Sequence, residues 1–176
     1  MQPSKVFYTM PNIRPESPSD ISAIHLLTKE AFLDAPHTNH TEEFIINELR
    51  QSGNLSISLV AEHDGKVIGH IAVSPVTISD GSLGWYGLGP ISVSPQHQRQ
   101  GIGSQLIRAA LHRLEGIGAS GCVLVGNPAY YGRFGFTHQD TLTYPGIPPE
   151  YFQAIYLSGS LAHGTVTYHK AFSAQH

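Results

Sequence analysis

A chain of 176 residues with 40% apolar and 13% charged residues has the length of one domain with one core, and too little charge to be disordered. The net charge of −3, with Lys and Arg scattered, leaves no basic footprint for a nucleic-acid or membrane partner. No apolar run reaches the roughly 18 residues of a membrane span and no signal-peptide order opens the chain, so a cytoplasmic protein is expected.

In chain order, the Ser19/Asp20 region caps a first helix in which Ile21, Ile24, Leu27 and Ala31 recur at helical spacing before Pro36. Asn39 and Glu42 have capping-box spacing, so a second helix starts after Asn39, carries Phe44, Ile45 and Leu49, and ends at Gly53. Ser56 to Glu62 alternates as a strand, Asp64-Gly65 turns, and Val67 to Val73 returns, with Val76 and Ile78 continuing after Pro75. Asp80-Gly81 turns again, and Trp85 to Val93 forms the strand that feeds a glycine loop. Leu106, Ile107, Ala110, Leu111 and Leu114 give the helix after that loop one apolar face, ended by Gly116 to Gly118. Gly121 to Val125 reads as a buried strand, parallel to Trp85–Val93 by a right-handed crossover. A short helical turn over Asn127 to Arg133, a proline-rich loop over Thr141 to Pro149 and a final strand over Thr165 to Phe172 complete the chain. The expected string is α-α-β-β-β-β-α-β-α-β, a single α/β domain over residues 1–176.

Strand, glycine turn and helix in that order build an anion site. Gly101 and Gly103 let backbone approach a ligand closely, and the helix starting there offers unpaired N–H groups and the positive end of its dipole. The dinucleotide fingerprint fails, because Leu106 stands where its third glycine is needed, and no Walker Gly-Lys-Ser/Thr occurs. No Gly-x-Ser-x-Gly elbow supports a serine hydrolase. His37 and His40 lack an evident third ligand, so no metal is expected, and Cys122, inside an apolar run, reads as an inert core residue.

The pattern that remains, Gln98-Arg99-Gln100-Gly101-Ile102-Gly103, resembles the phosphate loop of the GNAT acetyltransferases, which cradles the pyrophosphate of coenzyme A. Asn127-Pro128-Ala129-Tyr130-Tyr131-Gly132-Arg133-Phe134-Gly135-Phe136 resembles the segment ending in Gly-Phe that closes the cofactor cleft in that superfamily. With the closing Tyr168-His169-Lys170-Ala171-Phe172, the chain resembles the YhbS-like branch over nearly its full length. The resemblance implies a mixed, mostly antiparallel sheet with a central splayed parallel strand pair, flanked by helices. It implies acetyl-CoA as acyl donor, bound by Ile91, Ser92 and Val93, by Gln98 to Ser104 (Gln98, Arg99, Gln100, Gly101, Ile102, Gly103 and Ser104), and by Asn127, Tyr131 and Phe134.

The same resemblance implies direct transfer of the acetyl group to a primary amine in a ternary complex, with the Val93 N–H holding the thioester carbonyl and Tyr131 as general acid. The departing thiolate, at about 8.5, lies within reach of a phenol near 10; the alternative for Tyr131 is packing beside Phe134 and Phe136, and Tyr130 reads as packing. Asn127 departs from the acidic residue of the YhbS-like pattern. Glu30, His97 or ordered water would deprotonate the amine. The acceptor, a small molecule or a peptide, would be read by Asp34 to Thr41, by Trp85-Tyr86 and by Thr141 to Glu150. The fold's shape supports a homodimer. A non-catalytic acyl-CoA sensor is the reading from another class.

Overall fold

The computed structural model describes residues 9–159 and 161–175. Its strands and helices follow as β1 (Asn12–Pro15), α1 (Ile21–Phe32), α2 (Glu42–Gln51), β2 (Ile57–His63), β3 (Lys66–Ile78), β4 (Trp85–Val93), α3 (Ile102–Gly116), β5 (Gly121–Val125), α4 (Pro128–Tyr131), β6 (Leu142–Thr143), β7 (Phe152–Tyr156) and β8 (Gly164–Tyr168). The sheet runs β1-β2-β3-β4-β5-β7, with β8 joined to the far end of β3 and to β6. Pairing is antiparallel along that path except between β4 and β5, which are parallel as their crossover through α3 requires.

One face of the sheet packs on α3. Leu59, Ile71, Val73, Leu106, Ile107, Leu114 and Leu124 form a core there, each fully or nearly fully buried. Each such side chain contributes about 1.5–3 kcal/mol relative to exposure, so the apolar stripe of α3 is held by packing. On the opposite face α1 and α2 cover Val60 and Ala72, while β6 and β8 close over Val76, Trp85, Val123 and Phe152.

Three strands escape the sequence pattern. β1 forms because β2 offers it an edge and because Arg14 bridges Asp20 at 2.7 Å and Glu62 at 2.6 Å, contacts made only on folding. β6 is two residues long inside the expected proline-rich loop, and β7 lies between that loop and Gly159; both are specified by the neighbour they pair with. The final strand ends at Tyr168 rather than Phe172, because the His169 ring accepts the Ala171 N–H and starts a 3₁₀ turn over Lys170–Ser173. The second helix starts at Glu42 with Thr41 as its N-cap residue, whose side chain makes no capping bond; the Thr38 hydroxyl bonds the Glu42 carboxylate, so no Asn39 capping box forms. β3 runs unbroken through Pro75, where it changes partner from β4 to β8, a position that needs no ladder N–H.

Candidate active site

β4 and β5 pair only over Trp85–Gly87 and Gly121–Val123, then separate. The parting begins where β4 is irregular. Gly89 has φ 133°, the register with β3 slips by one residue between Ile71↔Ile91 and Val73↔Leu88, and Pro90 supplies no N–H. Beyond the slip, the Ser94 N–H donates to the Ile68 carbonyl at 2.8 Å. Backbone groups alternate sides along a strand, so Ser92 bonds toward β3 with Ser94, and Ile91 and Val93 present theirs to the open side. Ile91 and Val93 therefore form a free strand edge facing the gap left by β5.

The loop after β4 aims a helix at the same gap. Arg99 (φ 63°) and Gly101 (φ 82°) adopt left-handed conformations that fold the chain sharply into α3. The first α3 hydrogen bond runs from the Gln105 N–H to the Gly101 carbonyl, leaving the N–H groups of Ile102, Gly103 and Ser104 without intrahelical partners. Gly103 is required by close approach: a Cβ there would lie 3.1 Å from the Tyr130 hydroxyl and 3.9 Å from Val93. The wall of the cleft and the helix start are thus in contact.

Gln98 joins loop to strand, its Nε2 donating to the Val93 carbonyl at 3.1 Å. That leaves the Val93 N–H as the open donor of the strand's last residue. Arg99 and Gln100 are exposed, and Ile102 places its backbone in the loop while its side chain is buried. Ser92 is 1% exposed with its hydroxyl unpaired among the described residues, turned to the face opposite α3. It contributes its pairing with β3 and no side chain to the cleft.

Across the gap, the Asn127 side chain caps α4 by accepting the Ala129 N–H at 2.9 Å, which gives the residue a structural task that needs no carboxylate. Tyr131 lies directly on Gly126, where a Cβ would meet its ring at 2.3 Å, with Phe136 at 6.4 Å and Tyr130 at 4.9 Å between ring centres. Burial, with a smaller effect of Tyr130, pushes the Tyr131 phenol up to about 12. Phe134 is 8% exposed, with Arg108 over its ring and Tyr130 edge-on to it, so it supports the cleft from the core side. Tyr130 packs against the core beside Phe134, as read from the sequence, and its hydroxyl also borders the glycine loop, with Arg133 4.5 Å over its ring.

Glu30 is exposed at the end of α1, and His97 lines a small cavity with Gln100 and Ile102 behind the loop. Trp85 is 2% exposed against Tyr156, which corrects the expectation that it reads the acceptor. The 141–150 segment does border open space, a cavity of about 380 Å³ lined by Leu142, Tyr144, Ile147 and Phe152 among others. Among the described residues no cluster of His, Cys, Asp or Glu could hold a metal, and no helix is long and apolar enough to cross a membrane. Burial raises the Cys122 thiol well above its ordinary range, in keeping with an inert core residue.

A free strand edge ending beside a helix N-terminus fits an extended donor with an anionic tail: backbone groups bond the arm and unpaired N–H groups take the phosphates. Residues 54–138 match the family described as acetyltransferase (GNAT) domain. The chain is 34% identical to the N-acetyltransferase YhbS of Escherichia coli K12 over 169 residues, covering 92% of this chain and 98% of that one. A crystal structure of a GNAT family acetyltransferase from Brucella melitensis in complex with acetyl-CoA is 45% identical, with TM-score 0.82, covering 92% of this chain and 97% of that one. The crystal structure of E. coli YhbS in complex with CoA is 33% identical, with TM-score 0.85, covering 93% and 92%. The cleft and these relatives agree, and the chain belongs to the GNAT family as an acetyl-CoA-dependent N-acetyltransferase.

Proposed function

We propose that the chain transfers an acetyl group from acetyl-CoA to a primary amine, by direct attack within a ternary complex. The observation that carries this reading is the free edge of Ile91 and Val93 ending against the unpaired N–H groups of α3. Ile91 and Val93 hold the pantetheine arm as an added strand, and the loop from Gln98 to Ser104 holds the pyrophosphate. The Val93 N–H donates to the thioester oxygen as the amine nitrogen bonds the carbonyl carbon; one such donor contributes about 3 kcal/mol. As the carbon–sulfur bond breaks, the sulfur leaves with the electron pair, Tyr131 donates to it, and the proton lost by the amine passes to water.

The pKa of Tyr131 shapes its part. A thiolate of about 8.5 would take a full proton from a phenol near 12 only at a cost of about 5 kcal/mol, so a hydrogen bond to sulfur is the contribution that suits this site. The phenol stays protonated across the working range. The proposal covers residues 1–176 as one catalytic unit working in the cytoplasm, with the acceptor bound beside the 141–150 loop.

Calorimetric titration with acetyl-CoA, followed by thiol release across a panel of amines, tests the reading. Binding with amine-dependent release supports it; binding without release from any amine supports an acyl-CoA sensor. Tyr131→Phe is expected to lower kcat on the order of 100-fold and to spare acetyl-CoA affinity. Between pH 7 and 10, kcat at saturating amine should show no falling limb from Tyr131, because its proton is lost only near 12.

A further inference from the structure

Gln153 occupies the middle of β7, opposite Leu124 of β5, and is 1% exposed among the apolar side chains facing α3. Its Nε2 donates to the Gly126 carbonyl at 3.0 Å. A carbonyl can only accept, so the amide has one orientation, and Oε1 is turned inward, buried and unpartnered among the described residues. An unmet buried acceptor is destabilising, so stability alone favours an apolar side chain here.

Gly126 is where the ladder ends and the catalytic segment begins. Its N–H donates to the Tyr151 carbonyl at 2.9 Å, so both of its backbone groups are held from the β7 side, one by backbone and one by Gln153. The Tyr131 ring rests on its Cα, and the next carbonyl, that of Asn127, accepts the N–H groups of Tyr130 and Tyr131 at 3.1 and 3.0 Å. The tilt of the Gly126–Asn127 peptide therefore sets both the floor under the Tyr131 ring and the start of its helical turn.

We propose that Gln153 is a positioning residue for acetyl transfer: by fixing the Gly126 carbonyl it holds the Tyr131 hydroxyl at the departing sulfur. This rests on the role given to Tyr131 above. Gln153 touches neither donor nor acceptor, and the Gly126 carbonyl is its point of action.

The test is a double-mutant cycle of Gln153→Met and Tyr131→Phe, read as kcat and as KM for acetyl-CoA at saturating amine. With Tyr131 present, Gln153→Met is expected to lower kcat on the order of tenfold while KM stays within about twofold. With Phe at position 131 it should lower kcat no further. Equal losses in both backgrounds, or a loss in KM alone, overturn the proposal while leaving the role of Tyr131 standing. An unchanged kcat for Tyr131→Phe removes that role and the proposal with it. Should Gln153→Met fail to fold, Gln153→Glu serves, because a carboxylate cannot donate to the Gly126 carbonyl and a carboxylic acid can. The ratio of its kcat to that of the unsubstituted enzyme should rise as pH falls; a ratio independent of pH overturns the proposal.

Discussion

The two faces of the sheet are built differently. On the face toward α3, buried side chains are almost all apolar, from Leu59 and Ile71 to Leu106 and Leu124, and Gln153 stands out among them. The opposite face buries His70, Ser74 and Ser92 in adjoining strands, and Thr28 and Glu43 in the helices above. His70 Nε2 lies 2.8 Å from the Ser58 hydroxyl. Burial alone would raise the Glu16 carboxyl, yet Arg50, bonded to both its oxygens at 2.9 Å, and Ser58 hold it below its ordinary value. The cofactor cleft thus rests on a core insensitive to protons, while the other side depends on one histidine staying neutral.

Acid separates the two faces with the largest expected effect. Burial lowers the His70 imidazole from 6.5 to about 4; Glu16 pulls it up in part and Arg50 pushes it further down. Between those values the unfolded chain binds a proton that the folded chain does not, so stability is full above about pH 6.5 and falls as pH drops toward 4. At about 1.36 kcal/mol per pH unit the loss approaches 3 kcal/mol. Urea denaturation at steps from pH 7 to 4 should show it, and His70→Leu should flatten that limb. The Asp20 carboxyl, held well below its ordinary value chiefly by Arg14, acts only at lower pH.

On the α3 face the sharper probe is steric. Gly103→Ala brings a methyl group to 3.1 Å from the Tyr130 hydroxyl and should weaken acetyl-CoA binding about threefold to tenfold, with Tyr130→Phe restoring much of it. Calorimetry on the two single variants and the double variant checks this; no rescue would place the strain elsewhere. The smallest effect expected is at Arg99, exposed on the loop: Arg99→Ala should weaken binding about twofold to threefold, a difference that fades at high salt.

Legibility in the sequence follows the same division. The cleft is made by one continuous stretch, Trp85 to Phe136, where strand, positive-φ glycine, helix and aromatic turn succeed one another, and both ends of the parallel pair were readable. The acidic, basic and hydroxyl groups of the other face lie at positions 16, 50, 58 and 70, each ordinary in its own neighbourhood. Gln153 gave no signal, since a glutamine between Phe152 and Ala154 acquires meaning only when β7 pairs beside Gly126. Tyr130 was visible as a residue, but its contact with Gly103 depends on how α4 packs against α3.

The Gln98 amide on the Val93 carbonyl mechanically links the glycine loop to the end of β4. Under the roles proposed above, the loop assigned to the pyrophosphate and the residue whose N–H is assigned to the acyl group share one hydrogen bond, so affinity spent on the nucleotide end would also tighten the geometry at the reacting carbon. On that proposal, recognition far from the chemistry is converted into rate, and a donor trimmed to its pantetheine arm should turn over more slowly even when saturating.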